Sequence, residues 1–200
     1  MMQRILLIGA TTSLGQVTRN YLLKNSTDEI TILDSHATRL VTDDGRETVI
    51  NGDPTKLDVL VSALQQQDVV LVTLNDNVPS LAANLVAAMQ SRQLKRLVLV
   101  SSMGIYNEIP AHLGPGTNLK QNRRLQPFRQ TADIIENSAL DYTIVRPAGL
   151  DDGLGDYEVT LKGEPFGGRC VARLAVADVI LTAIDTAAYQ RESVGVDRPD

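Results

Sequence analysis

The chain has 200 residues, 43% of them hydrophobic and 22% charged, with a formal net charge of −5. Those proportions are ordinary for a globular protein and exclude disorder, collagen and coiled coil. The acidic balance gives no reason to expect nucleic acid or an anionic membrane as a partner, aromatic residues make up 4% with no Trp, and the single cysteine, Cys170, excludes an intrachain disulfide and a cysteine-based metal site. No apolar stretch approaches the roughly 20 residues a bilayer requires. Residues 4–8 read as a buried first strand rather than a signal peptide, because the apolar run is short and no processing signal follows it. A cytoplasmic location is expected.

Strand-like runs lie at 4–8, 29–33, 47–50, 69–74, 96–101 and 142–146. Several are continuous Val/Ile/Leu runs, the pattern of strands covered on both faces. Helical stripes alternate with them: Leu14, Val17 and Tyr21; Leu57, Leu60, Val61 and Leu64; Val78, Ala82, Leu85 and Met89; Leu125, Phe128, Ala132 and Ile135; and Val176, Val179, Ile180, Ala183 and Ile184. Asp53-Pro54 predicts a helix start, with Asp as N-cap and Pro at the first helical position. This alternation predicts βαβ units in a doubly wound, mainly parallel α/β sheet with helices on both faces. One domain is expected over residues 1–200, with a substrate-side extension at about 148–188. Two stretches rich in glycine and proline, 107–119 and 148–168, are long for βα loops and follow strands, so they should roof the carboxyl ends of the sheet. Segments 157–162 and 169–174 are candidates for a small hairpin.

The first strand joins its helix through Gly9-Ala10-Thr11-Thr12-Ser13-Leu14-Gly15. Gly9 permits a tight turn, and Gly15 permits close packing of helix on strand. The helix N-terminus between them offers free N–H groups and a partial positive charge to a pyrophosphate, and Thr11, Thr12 and Ser13 add hydroxyls. A plain helix-capping turn is the alternative reading.

In these residues the chain resembles the atypical, NmrA-like short-chain dehydrogenases, whose fingerprint is Gly-Ala-Thr-Gly-x-x-Gly. The resemblance runs over about residues 3–188. It includes Gly52-Asp53, Ser101-Ser102-Met103-Gly104, the stretch from Ser138 to Pro147, and Ala177-Asp178-Val179 at the opening of the last helix. It implies a Rossmann-type domain that binds NAD(P), with Gly9, Thr11, Thr12, Ser13, Leu14, Gly15, Asp34, Asp53, Leu74, Asn75, Ser101 and Pro147 around the cofactor. The family's middle glycine is Thr12 here, a residue that either pushes the dinucleotide outward or replaces a backbone contact with its hydroxyl. Asp34 ends strand two, where a carboxylate accepts the adenosine ribose hydroxyls and repels a 2′-phosphate, so NAD is favoured over NADP. Alternatively it starts a turn with Ser35. Asp53 falls beside the adenine by resemblance.

Catalytic short-chain dehydrogenases carry a Tyr-x-x-x-Lys pair on the helix after strand five. Here Leu125 and Arg129 occupy those positions, and Pro127 interrupts the helix. The remaining candidates are Ser102, for substrate or nicotinamide ribose, and Tyr106, as a wall or substitute acid. Arg146 binds an anion or pairs with a carboxylate. His36 and His112 have no partner at ligand spacing, so no metal is expected. Two functions fit: hydride transfer from NAD(P)H to a flavin or quinone-like small-molecule acceptor, which needs no tyrosine acid, or a non-catalytic NAD(P)-binding sensor or regulatory module. A monomer or homodimer is expected.

Overall fold

The computed structural model describes residues 2–37, 40–42, 45–74, 79–114, 116–153, 156–186 and 188–199. The chain runs β1 (Arg4–Ile8), α1 (Ser13–Asn25), β2 (Glu29–Asp34), β3 (Glu47–Asn51), α2 (Leu57–Ala63), β4 (Val69–Val72), α3 (Pro79–Ser91), β5 (Arg96–Val100), α4 (Gln126–Glu136), β6 (Asp141–Pro147), β7 (Gly149–Asp151), β8 (Glu158–Thr160), β9 (Cys170–Ala172), α5 (Arg173–Asp185) and β10 (Glu192–Asp197). Eight strands form one sheet in the order β3-β2-β1-β4-β5-β6-β10-β8. Every neighbouring pair is parallel except β10 with β8. The doubly wound parallel sheet expected from the sequence is thus the one that forms.

The continuous apolar runs explain its layers. Successive side chains of a strand point to opposite faces, and here both faces are covered. Ile5 and Leu7 of β1 join a core with α1 and α5, while Leu6 and Ile8 join a second core with α2, α3 and α4. The strand order reverses at β1 and β4, the switch point above which open α/β sheets bind ligands. Both the turn into α1 and the segment after β4 start there.

Three local expectations are corrected. Segments 157–162 and 169–174 do not form a hairpin. Glu158–Thr160 pairs antiparallel with β10, and Cys170–Ala172 pairs parallel with β7. Asp53 does not cap α2: its carboxylate accepts the Thr55 N–H and hydroxyl in a turn at 53–55, and α2 begins only at Leu57, after Lys56. The last helix opens at Arg173, one turn before Ala177-Asp178-Val179. In addition, β10 lies beyond the last periodic stretch of the sequence. Gly195 sits in its middle because a Cβ there would come within 2.7 Å of the Phe166 ring, so the residue that lets this strand pack also masks its strand pattern.

Candidate functional site

The glycine turn is built by mutual exclusion. Gly9 has φ +97°, and a Cβ on it would lie 2.9 Å from the Leu74 nitrogen. A Cβ on Gly15 would overlap the Gly9 carbonyl oxygen. Only hydrogen fits at both points, and this draws the N-terminus of α1 down onto the ends of β1 and β4.

Thr12 takes the middle position without strain. Its φ of −71° and ψ of 159° are ordinary extended values, and its hydroxyl accepts the Gly15 N–H at 2.9 Å as N-cap. The same hydroxyl lies 2.9 Å from the Gly9 carbonyl oxygen and 3.0 Å from that of Thr73. The Thr12 hydroxyl is turned into the protein. Thr11 is also committed, donating its hydroxyl to Asp34 at 2.6 Å. Among the described residues, the N–H groups of Ser13 and Leu14, the first two of α1, have no partner in the protein. They and the exposed Ser13 side chain are the groups this turn presents outward.

Asp34 closes β2 nearby. Its carboxylate accepts the Thr11 hydroxyl on one oxygen and the His36 N–H at 2.8 Å on the other, and its side chain is 9% exposed. The Gly52 N–H reaches the Asp34 carbonyl at 3.3 Å, placing the end of β3 beside it. Asp53 is exposed just beyond, and its hydrogen bonds from Thr55 hold its carboxyl below the ordinary range. His36 and His112 are both exposed.

At the other end lies a cleft of about 180 Å³. Leu14, Leu74, Val100, Phe128, Pro147, Ala148 and Leu150 line it, together with Thr73, Ser101 and Ser102. Gly9 packs against Leu74, and Leu74 lines the same cleft as Ser101, Ser102 and Pro147, while Asn75 lies outside the described residues. The Ser101 hydroxyl is buried with no hydrogen-bond partner. None of the described lining residues carries a carboxylate, imidazole, phenol or amine. A larger hollow of about 390 Å³, lined by Arg4, Glu29, Arg46 and Gln65–Gln67 among others, sits at the opposite ends of β1 and β2 and away from the switch point.

Tyr106 is not brought into the cleft. Its hydroxyl donates to Glu136 at 2.8 Å, and its ring lies under Lys162, Arg129 and Arg146, whose charged centres are 4.3, 4.9 and 5.2 Å from its centroid. Burial, reinforced by the Glu136 carboxylate, pushes the phenol above its usual range. A phenol held in this way is a poor proton donor. Leu125 is buried, and Arg129 pairs with Asp133 at 2.7 Å, so neither residue supplies what the missing Tyr–Lys pair would. Pro127 falls in the first turn of α4, where it starts the helix.

One residue behind the cleft has no sequence signal. Glu108, inside the loop after β5, forms a buried ion pair with Arg146 of β6 and also accepts the N–H groups of Gly104 at 3.2 Å and Tyr106 at 2.8 Å. Arg146 has no exposed surface and donates further to Ser193. The carboxylate-pairing alternative for Arg146 is the one observed. An acid in an aperiodic loop has no pattern to mark it; only the fold reveals its partner.

The residues fit a dinucleotide on three counts: a cradle that any Cβ would fill, two unpartnered N–H groups at a helix start, and an orphaned buried hydroxyl in the adjoining cleft. A family model described as NAD(P)H-binding matches residues 9–187. The chain belongs to this NAD(P)H-binding family. No curated protein matches it. Solved structures do. The NAD(P)H-binding chain is 27% identical to a short-chain dehydrogenase/reductase from Veillonella parvula in complex with NADP, with a TM-score of 0.88 over 100% of this chain and 96% of that one. It is 32% identical to a Rossmann-fold NAD(P)-binding family protein from Shigella flexneri, with a TM-score of 0.83 over 100% of this chain and 95% of that one. The likeness to short-chain dehydrogenases drawn from the sequence therefore holds for this NAD(P)H-binding protein. No described helix is long and apolar enough to cross a membrane.

Proposed function

We propose that this protein is an NAD(P)H-dependent reductase that passes hydride directly to a planar conjugated acceptor, a flavin or a quinone-like ring, and prefers NADH. The observation that carries the reading is the cleft: apolar walls from Leu14 to Leu150, hydroxyls at Ser101 and Ser102, and no titratable side chain among the described lining residues. Reducing a carbonyl to an alcohol calls for a positioned acid at the oxygen. A conjugated ring accepts hydride without one and takes its balancing proton from solvent. When bound, the dinucleotide supplies the hydride, two electrons and one proton. The chain's own part is placement and exclusion of water. Gly9 and Gly15 let the backbone approach, the Ser13 and Leu14 N–H groups face the phosphates, Asp34 and Asp53 serve the adenosine end, and Leu74, Ser101 and Pro147 border the nicotinamide end. Ser102 hydrogen-bonds the ribose or acceptor. Phe128 and Leu150 give a flat acceptor an apolar face.

Support for NADH comes from Asp34, whose carboxylate ends β2 where a 2′-phosphate would meet a like charge. The test is direct. Titrate the full chain with NADH and NADPH, then follow loss of reduced nicotinamide absorbance with FMN, riboflavin and a soluble quinone. Turnover with at least one acceptor is expected, slowed by Ser102→Ala. Tight binding without turnover over the whole set would replace the reductase with a non-catalytic binding module. Absence of dinucleotide binding would defeat both.

A further inference from the structure

Thr11 stands first among the hydroxyls of the glycine turn, where a phosphate donor is expected. Its geometry says otherwise. A hydroxyl has one proton to donate, and that of Thr11 goes to Asp34 at 2.6 Å, the short distance of a bond to a carboxylate. The Thr11 backbone is held on both sides: its carbonyl accepts the Gln16 side-chain amide at 3.0 Å, and the next N–H, of Thr12, bonds the Gly9 carbonyl at 3.1 Å. As a β-branched residue its χ1 is stiff. Asp34 receives its second donor, the His36 N–H, on the other oxygen. The carboxylate is thus pinned at both oxygens across the gap between β1 and β2, with lone pairs left over for ribose hydroxyls.

We propose that Thr11 is a positioning residue for cofactor choice: its hydroxyl locks the Asp34 carboxylate in place, so that NADPH is rejected, and it does not serve the phosphates. This rests on the assignment of Asp34 made above. A carboxylate free to change rotamer swings away from an incoming 2′-phosphate and relieves the repulsion. A pinned one cannot, and the discrimination is kept in full. The lock is charge-assisted and connects the phosphate turn to the ribose end of the same ligand, so a change at one end is read at the other.

The experiment is a binding cycle on the full chain with NADH and NADPH as probes, read as the ratio of their dissociation constants. Thr11→Val keeps the shape and removes the proton. It should narrow the preference for NADH on the order of tenfold, the size of one hydrogen bond to a charged group. Thr11→Ser should retain the wild-type ratio. Asp34→Asn should narrow the ratio as well, and adding Thr11→Val to Asp34→Asn should change it no further. Equal weakening of both dinucleotides by Thr11→Val, persisting in the Asp34→Asn background, would make Thr11 a phosphate ligand and overturn the proposal. A ratio moved by Asp34→Asn but untouched by Thr11→Val would overturn it while leaving Asp34 in its role. A ratio that Asp34→Asn does not move would remove the Asp34 assignment and this inference with it.

Discussion

Removing Glu108 should be among the most damaging single changes away from the glycine turn. Arg146 has no exposed surface, its guanidinium lies between the Tyr106 and Phe166 rings at 5.2 and 5.4 Å, and Glu108 is its carboxylate partner. Burial pulls the guanidinium below its usual value, and the Glu108 charge opposes that pull. Glu108→Ala leaves a buried cation without a counter-charge, a loss of about 3–5 kcal/mol. It also strips an acceptor from the N–H groups of Gly104 and Tyr106. Taking about 4 kcal/mol, and about 2–4 °C per kcal/mol for a chain of this size, the melting temperature should fall by about 8–16 °C. Thermal unfolding followed by circular dichroism measures that shift, and urea unfolding measures the free-energy loss, with the slope unchanged if only stability moves. The double variant Glu108→Leu with Arg146→Met removes both charges and should recover most of the loss, because apolar residues replace a buried pair at little cost. A loss under about 1 kcal/mol for Glu108→Ala, or a double variant no more stable than the single, would refute the account of this pair.

Two further outcomes follow from other contacts. Gly15→Ala forces backbone against backbone at the Gly9 carbonyl, so it should destabilise the fold by about 2–3 kcal/mol and weaken dinucleotide binding at least about tenfold, checked by urea unfolding and NADH titration. Asp197 is fully buried; burial first, and the Glu158 charge opposite it in the β10–β8 ladder second, push its carboxyl from 3.8 up to about 6. The folded state therefore holds a proton that the unfolded chain releases, and this group's contribution to stability falls as pH rises from about 4 to about 6. Asp197→Asn should remove that slope and be more stable at neutral pH by about 2–3 kcal/mol, at about 1.4 kcal/mol per pH unit of displacement. Equal stability of the two proteins at pH 7 would show that the carboxyl is not destabilised there.

Local patterns carried the fold. The unbroken apolar runs at β1, β4 and β5 already required cover on both faces, and the stripes of α1, α4 and α5 supplied it, because side-chain period and burial are properties of neighbouring residues. The glycine turn was legible for the same reason, since Gly9 and Gly15 mark a backbone constraint within one strand–helix unit. What depended on distant pairings was not legible. Whether Thr12 strains the turn, whom Arg146 pairs with and where Tyr106 points are decided by Thr73, Glu108 and Glu136, which come from other parts of the chain. The edge strand β8 has only three residues and pairs with β10, and β10, between β6 and β8, carries a glycine in its middle, so no stretch of sequence announces them. The sequence by itself determined the doubly wound sheet and the glycine turn at its switch point, because both arise from periodicity and backbone sterics. Only the tertiary structure decided which hydroxyls and charges remain available there, because a hydrogen bond made inside the protein is no longer offered to a ligand.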